Sequence, residues 1–309
     1  MSFARYGSRY TVALPLLIVA ANCVPPTEAP AAPMPSPAAG VTSSTAKGAY
    51  DVPMRFPDFI LFGNPEQGRA LKAQAPTNTR QVLFNGQPIP LAEDGQFLIA
   101  FDRDAPATAR LVATLANGRI IEHPITVAPG TWRIEHINAP YRGSASSDAD
   151  FARRRPAELA QIAAARAMQV DSNGWKQRFR WPVTGRLSGF FGSQRVYQGK
   201  PGTYHSGTDV AVPAGTAFVA PADGVVVLAA ATPFTLEGNL LIVDHGMGLS
   251  SAFLHCQRLD VKVGDRIVQG QRLGTVGRTG RATGPHMHWG LKWRDARLDP
   301  GKLAGPIGG

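Results

Sequence analysis

The chain has 309 residues, 44% hydrophobic and 8% aromatic, so it can bury a sizeable core and wholesale disorder is excluded. Its 2 cysteines exclude a disulfide framework and an all-cysteine zinc site, which leaves mainly His and carboxylate side chains to hold any metal. A formal net charge of +10 fits an anionic partner, but no Lys/Arg run is interleaved with aromatic residues, so nucleic acid is not expected.

Residues 1–22 read as a secretory signal peptide, with Arg5 and Arg9, then an apolar run from Thr11 to Ala21, then small residues. That run is too short to cross about 30 Å of hydrocarbon as a helix, so the expectation is export to the periplasm or cell envelope. Two processing routes fit the end of this segment. Ala20-Ala21-Asn22-Cys23 resembles a bacterial lipoprotein site, which would make Cys23 an outer-membrane lipid anchor, although Asn22 departs from the small residue usual before that cysteine. Cleavage after Ala21 by an ordinary signal peptidase is the other route. Residues 23–48 are rich in Pro, Ala, Ser and Thr and nearly devoid of large apolar side chains, the composition of an extended linker.

Residues 49–140 alternate short apolar runs with turn signals. Gln81–Phe84 runs into Asn85-Gly86, and Leu111–Leu115 leads to Asn117-Gly118; these hairpin signals predict a small β-sandwich-like accessory domain. His123 and His136 stand alone in it and suggest no chemistry. Residues 141–175 predict a helical connector, with Asp148 and Asp150 as caps and Pro156 near the first turn. Leu159, Ile162, Ala163, Ala167 and Val170 would form its apolar stripe. Arg153-Arg154-Arg155 reads as a solvated charge run. Residues 176–303 are rich in Gly, with breaks too frequent for helices, and predict an antiparallel β domain. They contain no nucleotide-binding loop and no GxSxG elbow. The predicted fold class is mainly β, with the sandwich-like domain first and the larger antiparallel domain last.

Five of the 7 histidines fall between His205 and His288. His286 and His288 face the same way if their segment is a strand, with Met287 and Trp289 turned into a core. His205 and Asp209 would be about 13 Å apart on a straight strand, so they share a site only if a bend at Ser206-Gly207 brings both inward. His255 follows Ser251–Leu254. A His/Asp/His set with an open fourth position suits a catalytic zinc, which lowers the pKa of water and polarises a carbonyl. His245, in the turn context Asp244-His245-Gly246, falls outside this pattern. Cys256 faces away from His255 on a strand and is expected to pack.

These residues belong to a longer ordered series. It runs Gly189-Phe190-Phe191-Gly192, His205-x-x-x-Asp209, Pro213–Thr216, Ala220–Gly224, Asp244-His245-Gly246, Phe253-Leu254-His255, Val263–Gly270, and Thr279-Gly280 through Gly284-Pro285-His286-Met287-His288. Over residues 181–300 the series resembles the lysostaphin- or LytM-type zinc endopeptidases, which cut peptide cross-links of bacterial peptidoglycan. The resemblance implies a duplicated-hybrid-motif β domain, Zn2+ held by His205, Asp209 and His288, and catalytic roles for His255 and His286 beside the metal. It also implies peptidoglycan stem peptides as substrate. Phe253, where the family often has Tyr, departs from the pattern without removing a ligand. A second reading is a non-enzymatic LytM-type envelope protein that binds peptidoglycan or activates a cell-wall amidase. Known regulators of that kind typically lack ligands, whereas all five positions are filled here.

Overall fold

The computed structural model describes residues 53–55, 58–140 and 149–308. The signal segment 1–22, Cys23, the linker 23–48 and the capping Asp148 lie outside the described residues.

Alternating burial in the upstream half builds two four-stranded antiparallel sheets around a shared core. One contains Pro53–Arg55, Ile60–Phe62, Ala70–Gln74 and Gln96–Ala100; the other contains Gln87–Ile89, Thr79–Phe84, Thr108–Leu115 and Ile120–Thr126. Leu71 and Ala73 point inward from the first, and Val82, Leu111 and Ala113 from the second. Asn85 (φ 50°) and Gly86 (φ 80°) both take left-handed backbone between their paired strands, the type I′ geometry that matches strand twist. At Asn117-Gly118 only Gly118 does so, at φ 83°.

The chain then leaves the sandwich. Ile134–Ile137 pairs in parallel with Gln194–Tyr197, so the upstream region supplies a strand to the downstream one. Arg103, which is buried, ties the two together. Its Nε donates to the Gly192 carbonyl at 3.1 Å, its Nη2 donates to Gln194 Oε1 at 3.0 Å, and its guanidinium lies 4.7 Å over the Tyr204 ring. A guanidinium withdrawn from water needs such partners.

The helix Ala149–Ala167 corrects three expectations. Pro156 is an interior residue of it, not part of its first turn. The missing N–H falls on a water-exposed face, where Ala152 can turn its carbonyl to solvent. The buried stripe runs through Glu158, Ile162 and Ala165, with Glu158 4% exposed and Leu159 49%. Polar contacts set that rotation. Glu158 accepts from Thr235 N at 2.8 Å and Thr235 Oγ1 at 2.6 Å, while Arg155 forks onto Glu237 with Nη–Oε distances of 2.6 and 2.8 Å. Arg154 donates to the Pro233 carbonyl at 2.6 Å. Of the three arginines only Arg153 is solvated; its neighbours grip residues 233–237.

Downstream, one antiparallel sheet runs in the order Arg186–Gly189, Thr208–Ala211, Met287–Trp293, Leu249–Cys256, Asn239–Asp244, Gly224–Ala229 and Arg266–Ile267, with Ala296–Leu298 paired to Met287–Trp293. Phe218 and Leu273, from a small sheet of Ala217–Val219, Arg272–Thr275 and Arg258–Leu259, share a core with Phe253, Met287 and Trp289. Ala165 of the helix packs with Val227, Leu240, Ile242 and Ala252 on the opposite face. Covered on both faces, Asn239–Asp244 reads as a continuous apolar run instead of an alternation. The protein is mainly β, as its composition and turn spacing predict.

Candidate metal centre

Strand register builds the site. Thr208–Ala211 runs antiparallel to Met287–Trp293 with Asp209 opposite His288 and Val210 opposite Met287. Side chains alternate across a strand, so Asp209 and His288 share one face while Val210 and Met287 are fully buried on the other. His205 lies just before this strand, and a bend at Gly207 returns it to the same face. Glycine is required there, because a Cβ on residue 207 would stand 2.5 Å from His288 Nε2 and 2.7 Å from the Trp289 carbonyl. Gly189 plays the same part on the flanking strand, where a Cβ would meet Asp209 Oδ2 at 2.3 Å. His286, one residue before Met287, and His255, near the end of Leu249–Cys256, complete the group.

Three acceptor atoms converge. His205 Nε2 is 3.1 Å from His288 Nδ1 and 3.2 Å from Asp209 Oδ1, and His288 Nδ1 is 2.9 Å from Asp209 Oδ1. Among the described residues, this is the one group of three or more His, Cys, Asp or Glu side chains placed to hold a metal ion. The edge of a tetrahedron whose centre lies ~2.0–2.1 Å from each ligand is about 3.3–3.4 Å, so the triangle is the size of one zinc coordination face. Its chemistry fits as well. His205 Nδ1 faces the Phe190 carbonyl at 3.2 Å, and since a carbonyl only accepts, Nδ1 carries the hydrogen and Nε2 offers its lone pair. Lone pairs and a carboxylate packed this closely repel one another unless positive charge stands among them.

A proton on either ring nitrogen also meets that demand, because it turns the nitrogen into a donor to the carboxylate. Burial opposes ionisation of Asp209, but hydrogen bonding to His205 and His288 outweighs it and holds the carboxyl well below its usual range. For His205, burial favours the neutral ring, yet the Asp209 carboxylate pulls its pKa up. His288 is more deeply buried, and there burial prevails over Asp209 and lowers the pKa.

The remaining two imidazoles stand beside the triangle. His255 and His286 have ring centres 5.0 Å apart, and His286 Nε2 is 3.8 Å from Asp209 Oδ1, outside hydrogen-bond range. Each has its Nδ1 on a backbone carbonyl, His255 on Thr279 at 2.8 Å and His286 on Gly284 at 2.9 Å. Their Nε2 lone pairs are therefore the free ones. Burial pushes the His255 pKa down to about 4, so that ring is neutral near pH 7. His255 also has φ +62°, a left-handed backbone uncommon outside glycine, and its N–H donates to the Glu237 carbonyl at 2.8 Å.

All five sequence-predicted residues thus meet at one place. The carbonyls of Phe190, Thr279 and Gly284 that fix the ring tautomers carry no side-chain signature, although the ordered motif series runs through all three. His245 is elsewhere and fully buried, with Nδ1 on the Asp223 carbonyl at 2.7 Å and Nε2 on Ser251 Oγ at 2.8 Å. Cys256 is free and buried, and burial pushes its thiol up to about 12. His123 and His136 lie on strands Ile120–Thr126 and Ile134–Ile137, neither in this group.

Comparison with known proteins agrees with this geometry. The model of peptidase family M23 matches residues 203–300, which contain all five site residues. Over 115 residues the chain is 39% identical to peptidoglycan DD-endopeptidase ShyA of Vibrio cholerae serotype O1, a match covering 36% of this chain and 26% of that relative. It is 31% identical over 131 residues to the cell division protein DipM of Caulobacter vibrioides, covering 42% of this chain and 20% of that one. These aligned stretches amount to about a quarter of the curated relatives' length. A crystal structure of a Pseudomonas aeruginosa protein described as a peptidase M23 superposes with a TM-score of 0.61 and 30% identity, covering 79% of this chain and 96% of that one. The chain belongs to peptidase family M23.

Proposed function

We propose that this protein is a zinc-dependent endopeptidase that hydrolyses stem-peptide cross-links of peptidoglycan in the bacterial cell envelope. The observation that carries this is the triangle of His205 Nε2, Asp209 Oδ1 and His288 Nδ1, with sides of 2.9–3.2 Å and two further carbonyl-anchored imidazoles beside it. Zinc, when bound, supplies a Lewis acid that polarises a scissile carbonyl and lowers the pKa of water. His205, Asp209 and His288 hold it. His255, neutral at working pH, accepts a proton at Nε2 from the attacking water and can return it to the leaving amine. His286 lies across from it, and its Nε2 lone pair accepts a second hydrogen bond from the attacking water and orients it. The Nδ1 anchors on Thr279 and Gly284 keep both rings aimed during these exchanges. The substrate class is supported by the activity for which the Vibrio cholerae relative is named.

Under the same proposal, residues 1–22 direct export and Cys23 is a candidate lipid anchor. The non-enzymatic alternative, a binder or amidase activator, is disfavoured by the completeness of the ligand set. Incubating purified sacculi with zinc-loaded full-length protein tests the choice. Release of muropeptides, abolished by His288→Ala and reduced about 10²- to 10⁴-fold by His255→Ala, is expected. No release from the zinc-loaded protein would overturn the enzyme.

A further inference from the structure

We propose that Arg133 forms a carboxylate-binding subsite next to the metal centre and selects peptides that carry a free carboxylate near the bond to be cut. This rests on the endopeptidase reading above and adds the chemistry of the substrate.

A groove of about 1050 Å³ opens beside the metal site, with His205 and Asp209 in its wall. Arg133 and Glu135 also line it, from the segment that connects the sandwich to the helix and lies upstream of the family match at 203–300. Parallel pairing with Gln194–Tyr197 puts that segment there, and the Arg133 carbonyl accepts from Gln194 N at 2.9 Å.

The charges of the groove then cancel, with one exception. Glu135 pairs with Arg195 at 2.8 Å. Asp209 is engaged by His205 and His288. The Arg133 guanidinium has no ion-pair or hydrogen-bond partner among the described residues. Instead it lies 3.4 Å over the Phe190 ring, close enough to stack flat. Stacking orients the fork and leaves its in-plane N–H edge clear of the described residues, the arrangement that receives a carboxylate in bidentate fashion. Phe190 is also the residue whose carbonyl anchors His205. The free cation and the metal ligand are thus fixed to the same residue, which places a bound carboxylate within a residue or two of the scissile bond.

The test uses the full chain, zinc-loaded, and two synthetic fluorescein-labelled cross-linked stem-peptide dimers that differ only in whether their carboxylates are free or converted to primary amides. Wild type should favour the free-carboxylate dimer by about 10- to 100-fold in kcat/KM, mainly through KM. In Arg133→Gln the preference should fall to about 1, through loss on the free-carboxylate dimer, with Arg133→Lys in between. Equal losses on both dimers, or an undiminished preference, would overturn the subsite. Fluorescence anisotropy with the same dimers reads binding apart from turnover. Carboxylate-dependent binding that Arg133→Gln abolishes, without cleavage, would refute the hydrolase reading and leave the subsite standing. Equal binding of both dimers by wild type would refute the subsite whether or not the bond is cut.

Discussion

Asp209 and His288 sit directly opposite each other on adjacent antiparallel strands, with Oδ1 and Nδ1 2.9 Å apart. Because the register sets this distance, both proposed ligand atoms are in place before any cation arrives, and the Gly207 bend holds His205 where it closes the triangle. Such a site binds without much reorganisation. It should therefore convert metal affinity directly into stability of the folded chain. At a thousandfold excess of free zinc over Kd, wild type should gain about 4 kcal/mol relative to protein in chelator, and Asp209→Ala should gain under about 1 kcal/mol. Thermal unfolding with zinc and with EDTA measures both. An equal zinc response in the two proteins would remove Asp209 from the ligand set.

Gly207→Ala tests the bend itself. The added Cβ would sit 2.5 Å from His288 Nε2 and 2.7 Å from a backbone oxygen that cannot retreat without disturbing the sheet. Overpacking of this kind costs about 1–3 kcal/mol. Zinc stoichiometry by atomic absorption should fall as well, since the displaced ring is a proposed ligand. Wild-type metal content in this variant would mean that His205 and His288 do not need the close approach.

The Arg155–Glu237 fork should matter both to folding and to His255. Both side chains are largely buried, so Arg155→Met leaves a carboxylate without its partner, at a cost of about 3 kcal/mol. In urea denaturation, Arg155→Met with Glu237→Gln should together cost less than the sum of the two single changes. The Glu237 carbonyl also receives the N–H of His255, whose φ of +62° persists only while its surroundings enforce it. Hence kcat of the single variants, corrected for folded fraction, should drop more than KM changes.

The acid limb of stability should carry the signature of His245. Burial pushes its pKa down to about 4 from the usual 6.5, so between these values the unfolded chain binds a proton that the folded chain refuses. Stability from this group is complete above pH 6.5 and is lost as pH falls toward 4, by about 3 kcal/mol. Neighbouring Asp244 works in the opposite sense, because burial raises its pKa to about 6 and its contribution is lost as pH rises from about 4 to 6. The two nearly cancel in wild type. His245→Gln, which can keep both hydrogen bonds, removes the acid loss of this one group, so its stability relative to wild type should rise by about 3 kcal/mol from pH 6.5 to pH 4 in chemical denaturation. Parallel pH curves for wild type and variant would contradict the buried neutral imidazole.

Much of this molecule is legible in the chain, for reasons that differ from part to part. Asn85-Gly86 predicts its hairpin because few dipeptides take two consecutive positive φ angles, and the prediction needs nothing distant. His286-Met287-His288 predicts its facing because alternation is a property of any strand. The helix Ala149–Ala167 resists the same treatment. Its apolar residues suggest a stripe through Leu159, but Glu158 turns inward to meet Thr235, and no pattern within the helix announces a partner so far along the chain.

Residue types and short-range spacing therefore determine that the protein is mainly β, and the ordered motif series makes His205, Asp209, His255, His286 and His288 the candidates to hold a metal or move a proton. Tertiary structure alone decides which of them touch. The pairing of Thr208–Ala211 with Met287–Trp293 selects the triangle, and the carbonyls of Phe190, Thr279 and Gly284 select which ring nitrogens stay free. It also decides that a strand from the accessory region walls the groove and brings Arg133 onto Phe190. Contacts of this kind join residues far apart in sequence, and backbone carbonyls are chemically alike at every position, so only the folded path of the chain distinguishes them.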